Sequence, residues 1–203
     1  SSATRYSIAN VAPFPGYHAT NTCPNPTIDV ALMQLSAPVD GVTPLSLGNG
    51  LPSRGDQCTA VGYGRHSILS DVSDTDASPV VLTTQVEQKR DATEVVTQIG
   101  STTVEVTYGT GLADHGDSGG PLLCGGAIAA TVSCHTDGDY PTHQNEFYAR
   151  IDGIAGWITA MESNFDPSAP WPPAAATDDA GSADDAVALS ELRALKEHAR
   201  SRS

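Results

Sequence analysis

The chain has 203 residues, of which 24 are Asp or Glu and 10 are Lys or Arg, so its formal net charge at pH 7 is −14. Such an acidic chain repels phosphate backbones, and no basic stripe offsets the charge, so we expect no nucleic-acid partner. No apolar run approaches the roughly 18 residues of a membrane-spanning helix, so we expect no membrane partner either.

Composition and strand-like runs indicate an all-β body. The chain contains 19 Gly and 14 Pro and is only 17% charged, and its length suits one barrel or sandwich domain, or a smaller domain with a tail. Short runs that favour β-branched residues recur between Gly, Pro, Asp or Asn, which is typical of a barrel or sandwich. Strands are predicted within 5–17, 27–39, 57–64, 78–88, 93–100, 102–109, 125–134 and 146–151.

The hydrophobic period changes at residues 152–163. Ile154, Trp157, Ile158 and Met161 follow the i, i+3, i+4, i+7 spacing of one helix face. The pattern predicts an amphipathic helix that closes the folded body.

The residues after this helix have a different composition. They are rich in Pro, Ala, Ser and Asp, a mixture that cannot bury a core, so we expect a disordered tail at 163–203. Within the tail, 183–200 follows Ser182, carries Asp in its first turn and has Lys, His and Arg near its end, which predicts a short solvated helix. The folded domain is therefore assigned to 1–162.

The four cysteines, Cys23, Cys58, Cys124 and Cys134, lack the C-x-x-C spacing of a zinc site. We expect disulfides in an exported protein, with buried free thiols as the alternative. The Asp-rich stretches at 71–76 and 136–139 lack the ligand pattern of a calcium loop. We therefore expect no metal and no cofactor.

The stretch G-D-S-G-G at 116–120 holds Ser118 among glycines and also matches G-x-S-x-G, the nucleophile elbow of α/β-hydrolases. That elbow requires a helix immediately after the serine. Pro121, a Gly pair and a β-type run follow instead. The context therefore argues against the elbow.

Several motifs in one order carry a resemblance to a known family. "DVALMQL" (29–35), "CTAVGYG" (58–64), "GDSGGPLLC" (116–124), "VSC" (132–134) and "FYARIDGIAGWI" (147–158) are similar to the chymotrypsin/trypsin family of serine endopeptidases. The resemblance covers about residues 5–162. It implies two six-stranded antiparallel Greek-key β-barrels, the first one incomplete in this chain, and a closing C-terminal helix.

The resemblance also implies catalytic roles. Ser118 would be the nucleophile of an acyl-enzyme mechanism, and the backbone N–H groups of Gly116 and Ser118 would form the oxyanion hole. Asp29 would orient the histidine base, although a turn-capping aspartate is the alternative. Asp117 would accept the N-terminal ammonium group that activation cleavage creates.

Two disulfides are expected. Cys58 and Cys124 resemble the family pair that joins the start of the second barrel to the strand after the nucleophile. Cys23 and Cys134 have no obvious family partner, but the resemblance puts both beside the cleft. We hypothesise a Cys23–Cys134 bridge.

The expected substrate pocket differs from that of trypsins. Leu112 stands at its floor where trypsins carry aspartate, and Asp114 replaces a family cysteine. Ser133 lies on the strand that pairs with substrate, and His135 narrows the rim. Glu146 would direct a carboxylate into the pocket, which favours a basic or a mixed basic and large apolar P1 residue; an exposed turn residue is the alternative.

The family's T-A-A-H-C motif, which carries the catalytic histidine, is absent. Of the six histidines only His18 precedes Asp29, and its turn leaves no room for the family connection. We therefore expect a chain that starts inside the domain at Ser1 and is inactive as it stands. The complete protein would be a secreted, monomeric endopeptidase acting on polypeptides. The alternative is a non-catalytic binding module on a protease scaffold, a pseudoprotease.

Overall fold

The structure is a computed structural model that describes residues 5–20, 22–64, 88–136 and 144–163. These residues form eight strands, a 3₁₀ turn at Asp152–Ile154 and one α-helix, α1, at Ala155–Ser163. The strands are β1 Ile8–Pro13, β2 Ala31–Leu35, β3 Gln57–Gly62, β4 Arg90–Ile99, β5 Thr103–Tyr108, β6 Pro121–Cys124, β7 Ala127–Cys134 and β8 Asn145–Arg150.

Six of the strands form a closed barrel in the order β3-β4-β5-β8-β7-β6, and β6 pairs with β3 to close it. All of its neighbouring strands are antiparallel. Alternating apolar side chains point inward and fill the interior. The buried core contains Cys58, Ala60, Val96, Val104, Val106, Ala113, Leu122, Ala130, Val132 and Tyr148.

β1 and β2 form a separate two-stranded antiparallel sheet. Its register sets Ile8 opposite Leu35 and Pro13 opposite Ala31. A mostly β protein with one closed six-stranded barrel and a C-terminal helix confirms the predicted fold class.

The C-terminal helix lies where the hydrophobic period predicted it. Ile154, Ile158 and Met161 are buried, and the Trp157 ring packs edge-on against Phe14 with 5.3 Å between ring centroids. The helix takes part in two apolar clusters with residues in and near β1 and β2 and with one residue of β7. These partners are Ala12, Phe14, Ile28, Val30, Leu32 and, on β7, Ile128. It therefore connects the two sheets through a shared apolar cluster.

Most predicted strands are found within a few residues of their expected bounds. The residue pattern alone did not give β6, which has only four residues and begins with Pro121, although the resemblance implied a strand after Ser118. The run at 78–88 lies almost entirely outside the described residues, as do the tail from 164 onward and its helix at 183–200. The domain boundary at 162 stays a prediction.

Candidate active site

Ser118 lies in the loop between β5 and β6, which is hydrogen-bonded to β7. The Gly119 N–H donates to the Val132 carbonyl at 2.9 Å, and the Val132 N–H donates to the Gly120 carbonyl at 2.9 Å. A Cβ at Gly120 would lie 2.7 Å from the Asp117 carbonyl oxygen, which is closer than side-chain carbons approach backbone oxygens. The glycine therefore allows the loop to lie directly against the barrel.

The residues flanking Ser118 have backbone angles that favour glycine. Gly116 has φ +98° and Gly119 has φ +78°, both in the left-handed region. Ser118 itself is exposed to solvent. The G-D-S-G-G stretch is thus a tight, backbone-specified loop that presents one serine.

The carboxylate of Asp117 is held by backbone donors. The Gly64 N–H donates to Oδ1 at 2.7 Å, and the Asp114 N–H donates to Oδ2 at 3.0 Å. A Cβ at Gly62 or Gly64 would collide with this carboxylate, so the glycine that ends β3 and the one two positions later make room for it. Residues 1–4 lie outside the described part of the chain, and the ammonium partner for Asp117 stays a prediction.

Asp29, which directly precedes Val30 and β2, bonds to the barrel. Its Oδ2 accepts a hydrogen bond from the Ser133 hydroxyl at 2.8 Å across 104 positions of sequence. Ser133 follows Val132, to which the Ser118 loop is bonded. Val132 and Ser133, which are consecutive residues of β7, therefore hold the Ser118 loop and the Asp29 carboxylate at the same end of the barrel.

Both expected disulfides are present, and all four cysteines are paired. Cys58–Cys124 joins β3 to β6 within the barrel. Cys23–Cys134 joins the segment before Asp29 to the end of β7 across 111 positions. The free-thiol alternative is therefore wrong, and the hypothesised second bridge is confirmed.

The expected pocket residues lie on three neighbouring parts of the barrel. Leu112 is half-buried and packs on the barrel core. Glu146 belongs to β8 and is only 2% exposed, so it is not an exposed turn residue. Its Oε2 lies 3.6 Å from Nδ1 of His135, and the His135 ring packs edge-on against His115 with 5.6 Å between centroids.

A second buried acid, Glu94 on β4, lies behind these residues and was not predicted. It is 0% exposed, and its Oε1 accepts a hydrogen bond from the Ala113 N–H at 2.8 Å. Burial raises the pKa of Glu94 to about 7, against the opposing effects of Tyr148 and of the Ala113 bond. The strand alternation carried the signal for this residue, because Glu94 precedes the buried Val96 by two positions.

Glu146 is perturbed more strongly than Glu94. Burial raises its pKa to about 8, and the nearby Glu94 carboxyl adds to the rise. The Tyr148 hydroxyl, on the same strand, has its pKa raised by burial and by Glu94. Three ionisable groups thus lie close together in a dry environment that disfavours their charged forms.

The described histidines are His18, His115 and His135. His18 is exposed, and its backbone carbonyl accepts a hydrogen bond from the Thr27 hydroxyl, which supports its interpretation as a surface residue. The other histidines, His66, His143 and His198, lie outside the described ranges.

The described residues contain neither a metal-binding cluster nor a membrane-spanning helix. No group of three or more His, Cys, Asp or Glu side chains is arranged to hold a metal ion within those ranges. No helix in the described part of the chain is long and apolar enough to cross a membrane.

Comparisons with known proteins agree with this architecture. A family model described as trypsin matches residues 1–158. The thrombin-like enzyme calobin-1 of Gloydius ussuriensis is 28% identical over 70% of the chain, and the serine protease harobin of Hydrophis hardwickii is 27% identical over 70% of it. The chain spans only 57% and 56% of the lengths of these two curated relatives.

Among solved structures, a mutant of human heparin binding protein (CAP37) superposes with a TM-score of 0.60 at 23% identity. The match covers 81% of this chain and 69% of that one, and at this identity it supports the fold alone. Because the family model spans most of the sequence, and the motifs around Asp29, Ser118 and Ser133 occur in the family's order, the chain belongs to the trypsin family.

Proposed function

We propose that the chain provides the nucleophile and the orienting carboxylate of a serine endopeptidase. Ser118 attacks the scissile carbonyl and forms the acyl-enzyme, and Asp29 orients a histidine base and stabilises its imidazolium form. The N–H groups of Gly116 and Ser118 bind the oxyanion of the tetrahedral intermediate. Asp117 accepts the ammonium group of an activation-generated N-terminus.

One observation carries this proposal: the hydrogen bond from the Ser133 hydroxyl to Asp29 Oδ2. It attaches a carboxylate from the β1–β2 region to the residue next to Val132, to which the Ser118 loop is bonded. A turn-capping aspartate would find its partner locally, whereas this partner is 104 positions away. The contact is what an aspartate brought to the nucleophile for catalysis requires.

The family's histidine motif does not provide a general base in this chain. His66, His143 and His198 lie outside the described residues. The T-A-A-H-C motif is absent from the 203 residues. We therefore propose that these residues alone are a poor catalyst, and that a histidine in a segment additional to them completes the site.

The P1 preference follows from the acid in the pocket. Glu146 is buried on β8 and approaches His135 at the rim, so a cationic P1 side chain would find a desolvated carboxyl partner. The half-buried Leu112 offers apolar contact to the stem of a long side chain. We propose a preference for Lys or Arg, or for basic together with large apolar residues.

The proposed setting is extracellular. Two disulfides persist most readily in oxidising compartments, and the relatives include enzymes named as a snake venom serine protease and a thrombin-like enzyme. We propose a secreted, monomeric protease whose partners are polypeptide substrates. Neither a nucleic acid nor a membrane belongs to this proposal.

Labelling with a fluorophosphonate tests the nucleophile, because this reagent phosphonylates activated serines. Without a base, the oxyanion hole alone retains a residual acceleration of about 10³-fold over water in this class of enzyme. We expect slow labelling concentrated on Ser118, located by peptide mass spectrometry. The Ser118→Ala variant should lose that label, and Ser163→Ala, at an exposed serine of α1, should keep it.

A second candidate, the non-catalytic binding module, is favoured by the absence of the T-A-A-H-C motif from the 203 residues. It predicts that Ser118 reacts no faster than an exposed serine such as Ser163. Equal labelling of the two serines would support the binding module and contradict the protease. Labelling as fast as that of a complete trypsin would instead show that a histidine within this chain acts as the base.

A further inference from the structure

Two buried glutamates lie toward the same end of β5, because Glu94 on β4 is paired with Tyr108 and Glu146 on β8 is paired with Val106. Glu94 on β4 is 0% exposed, and Glu146 on β8 is 2% exposed. One oxygen of Glu94 accepts the Ala113 N–H at 2.8 Å. Among the described residues the other oxygen, Glu94 Oε2, has no hydrogen-bond partner, and neither does Glu146 Oε2, whose nearest basic group is His135 Nδ1 at 3.6 Å.

The groups around this pair are mostly acidic. Asp114 and Asp117 in the Ser118 loop raise the pKa of Glu146 further, after burial and Glu94. The buried Tyr148 hydroxyl is near enough to Glu94 to affect its pKa, but it lacks a partner at hydrogen-bonding geometry within the described residues. His135 at the rim is the one described basic side chain that approaches either carboxyl.

Two carboxylates in one desolvated space cannot both ionise cheaply. A proton on one of them removes the repulsion and supplies a donor for an oxygen that otherwise has none. A cation inserted between them removes the repulsion equally well. Proton and cation therefore compete for the same two acids.

We infer that Glu94 and Glu146 form one proton-sharing carboxyl pair at the base of the P1 pocket, and that a basic P1 side chain binds by displacing the shared proton. Glu94 is thereby a specificity-determining residue in addition to Glu146. The inference rests on the proposed function, because it takes the space beside Glu146 to be the P1 pocket.

The exchange is balanced and involves no redox step. An O–H bond of the pair breaks, its proton passes to solvent, and the ammonium or guanidinium group of the substrate takes its place as the counter-charge. The Ala113 N–H fixes Glu94, so the pair retains one rigid member. Binding of a basic side chain should weaken as pH falls, while binding of an apolar side chain should not.

Benzamidine, an aryl amidinium ion that mimics a basic P1 side chain, tests the inference on the 203-residue chain without any need for turnover. Titration calorimetry in buffers of different ionisation enthalpy counts the protons exchanged on binding. We expect release of about one proton per benzamidine near pH 6.5, falling toward zero by about pH 9. The Kd should tighten by up to about tenfold per pH unit between about pH 5.5 and 7.5.

Glu94→Gln tests the second member of the pair, because the Gln amide oxygen can still accept the Ala113 N–H. The variant should release less than half as many protons near pH 7.5, and the pH dependence of its Kd should shift by about one unit to lower pH. Glu105→Gln on β5, which alters a half-buried glutamate, is the matched control and should leave both quantities unchanged.

Each outcome decides a separate point. Binding without proton release, or with a pH-independent Kd, overturns the shared proton and leaves a cation pocket in place. If proton release and the pH dependence of the Kd are unchanged in Glu94→Gln, Glu94 has only a structural role. If that variant does not fold, the number of protons released by the wild type still tests the shared proton. Absence of benzamidine binding across the whole pH range overturns the inference, whereas the proposed protease function stands or falls with Ser118 labelling.

Discussion

Each strand of the β3–β8 barrel has two hydrogen-bonded neighbours, whereas β1 and β2 pair only with each other among the described strands. A closed barrel has no free edge and encloses its own core. A two-stranded sheet is marginal by itself and depends on what it packs against. The two halves of the proposed site therefore rest on supports of very different strength.

The distribution of exposed apolar residues follows the same division. In and around β1 and β2, Met33 is 62% exposed and Ile8 is 51% exposed. The segment after β2 adds Val39, Val42, Leu45 and Leu51. The barrel region contributes only Tyr63 and Tyr108 to the large exposed hydrophobic side chains of the described residues.

The proposed nucleophile and the proposed orienting acid lie on opposite sides of this division. Ser118 is held by backbone hydrogen bonds to β7 and by the glycine angles of its own loop. Four attachments hold the Asp29 segment on the barrel. They are the Cys23–Cys134 disulfide, the bond from Ser133, the bond from the Thr102 hydroxyl to the Asn25 carbonyl, and the packing of α1 against Phe14 and its neighbours. The Ser118 loop should therefore keep its structure in variants that displace Asp29.

Removal of the Cys23–Cys134 bridge should have the largest effect. Cross-linking residues 111 positions apart restricts the unfolded chain strongly, so Cys23→Ala/Cys134→Ala should lower the free energy of unfolding by about 4 kcal/mol. Hydrogen exchange should accelerate first in β1, β2 and the Asp29 segment, while β3–β8 stay protected. Urea unfolding and exchange mass spectrometry measure the two effects.

The matched control is Cys58→Ala/Cys124→Ala, which removes a bridge between two strands that are already paired in the barrel. Its entropic cost is similar, but its loss of protection should fall on β3 and β6. If both double variants lose protection in the same segments, the two regions unfold as one unit. The division between barrel and β1–β2 sheet would then have no energetic meaning.

The buried carboxyl pair should destabilise the barrel itself as pH rises. The unfolded chain releases the Glu146 proton near pH 4.5, while the folded chain retains it to about pH 8, so stability falls across that interval. At about 1.36 kcal/mol per pKa unit, Glu146→Gln should be about 4 kcal/mol more stable than wild type at pH 8. Near pH 4 the two proteins should differ little. Urea rather than guanidinium unfolding preserves the electrostatics during this measurement.

Glu162→Gln at an exposed position of α1 provides the control. It removes the same charge from a solvated site and should change stability by less than about 0.5 kcal/mol at either pH. An equal gain at pH 8 in both variants would mean that the net charge of −14, not the buried pair, sets the pH dependence.

The sequence allowed the fold and most of the candidate site to be predicted, because both reside in local patterns. Alternating apolar residues gave most strands, the i, i+3, i+4 spacing gave α1, and "GDSGGP" with "DVALMQL" gave Ser118 and Asp29. β6 escaped the residue pattern because four residues are too few for a period to emerge.

Glu94 could not be predicted as part of the site because its role depends on register across three strands. Strand alternation places Glu94 on the same face of β4 as Val96, but it does not say which residues of other strands face it. Closure of the barrel brings Glu94 under Ala113 and near Glu146. Such long-range proximity is carried by topology, and no single stretch of sequence contains it.

The Ser133–Asp29 contact should contribute the smallest of these effects. Ser133→Ala removes the hydroxyl that donates to Oδ2 at 2.8 Å and should cost about 1 to 2 kcal/mol, since Asp29 is half-buried and a charged acceptor strengthens the bond. Because Ser133 belongs to the barrel and Asp29 does not, the cost measures the coupling between them. Exchange should accelerate at Asp29 and its neighbours more than in β7.

A double-mutant cycle isolates that coupling from the other effects of each substitution. Ser133→Ala combined with Asp29→Ala should give an interaction energy of about 1 kcal/mol, whereas Ser133→Ala combined with Asp40→Ala, at an exposed aspartate beyond β2, should be additive within about 0.3 kcal/mol. Additivity in both pairs would mean that the hydrogen bond adds nothing to the stability of the junction. In that case the disulfide, the Thr102–Asn25 bond and α1 would hold Asp29 near the Ser118 loop, and the proposed orienting carboxylate would be positioned by its backbone rather than by its own side chain.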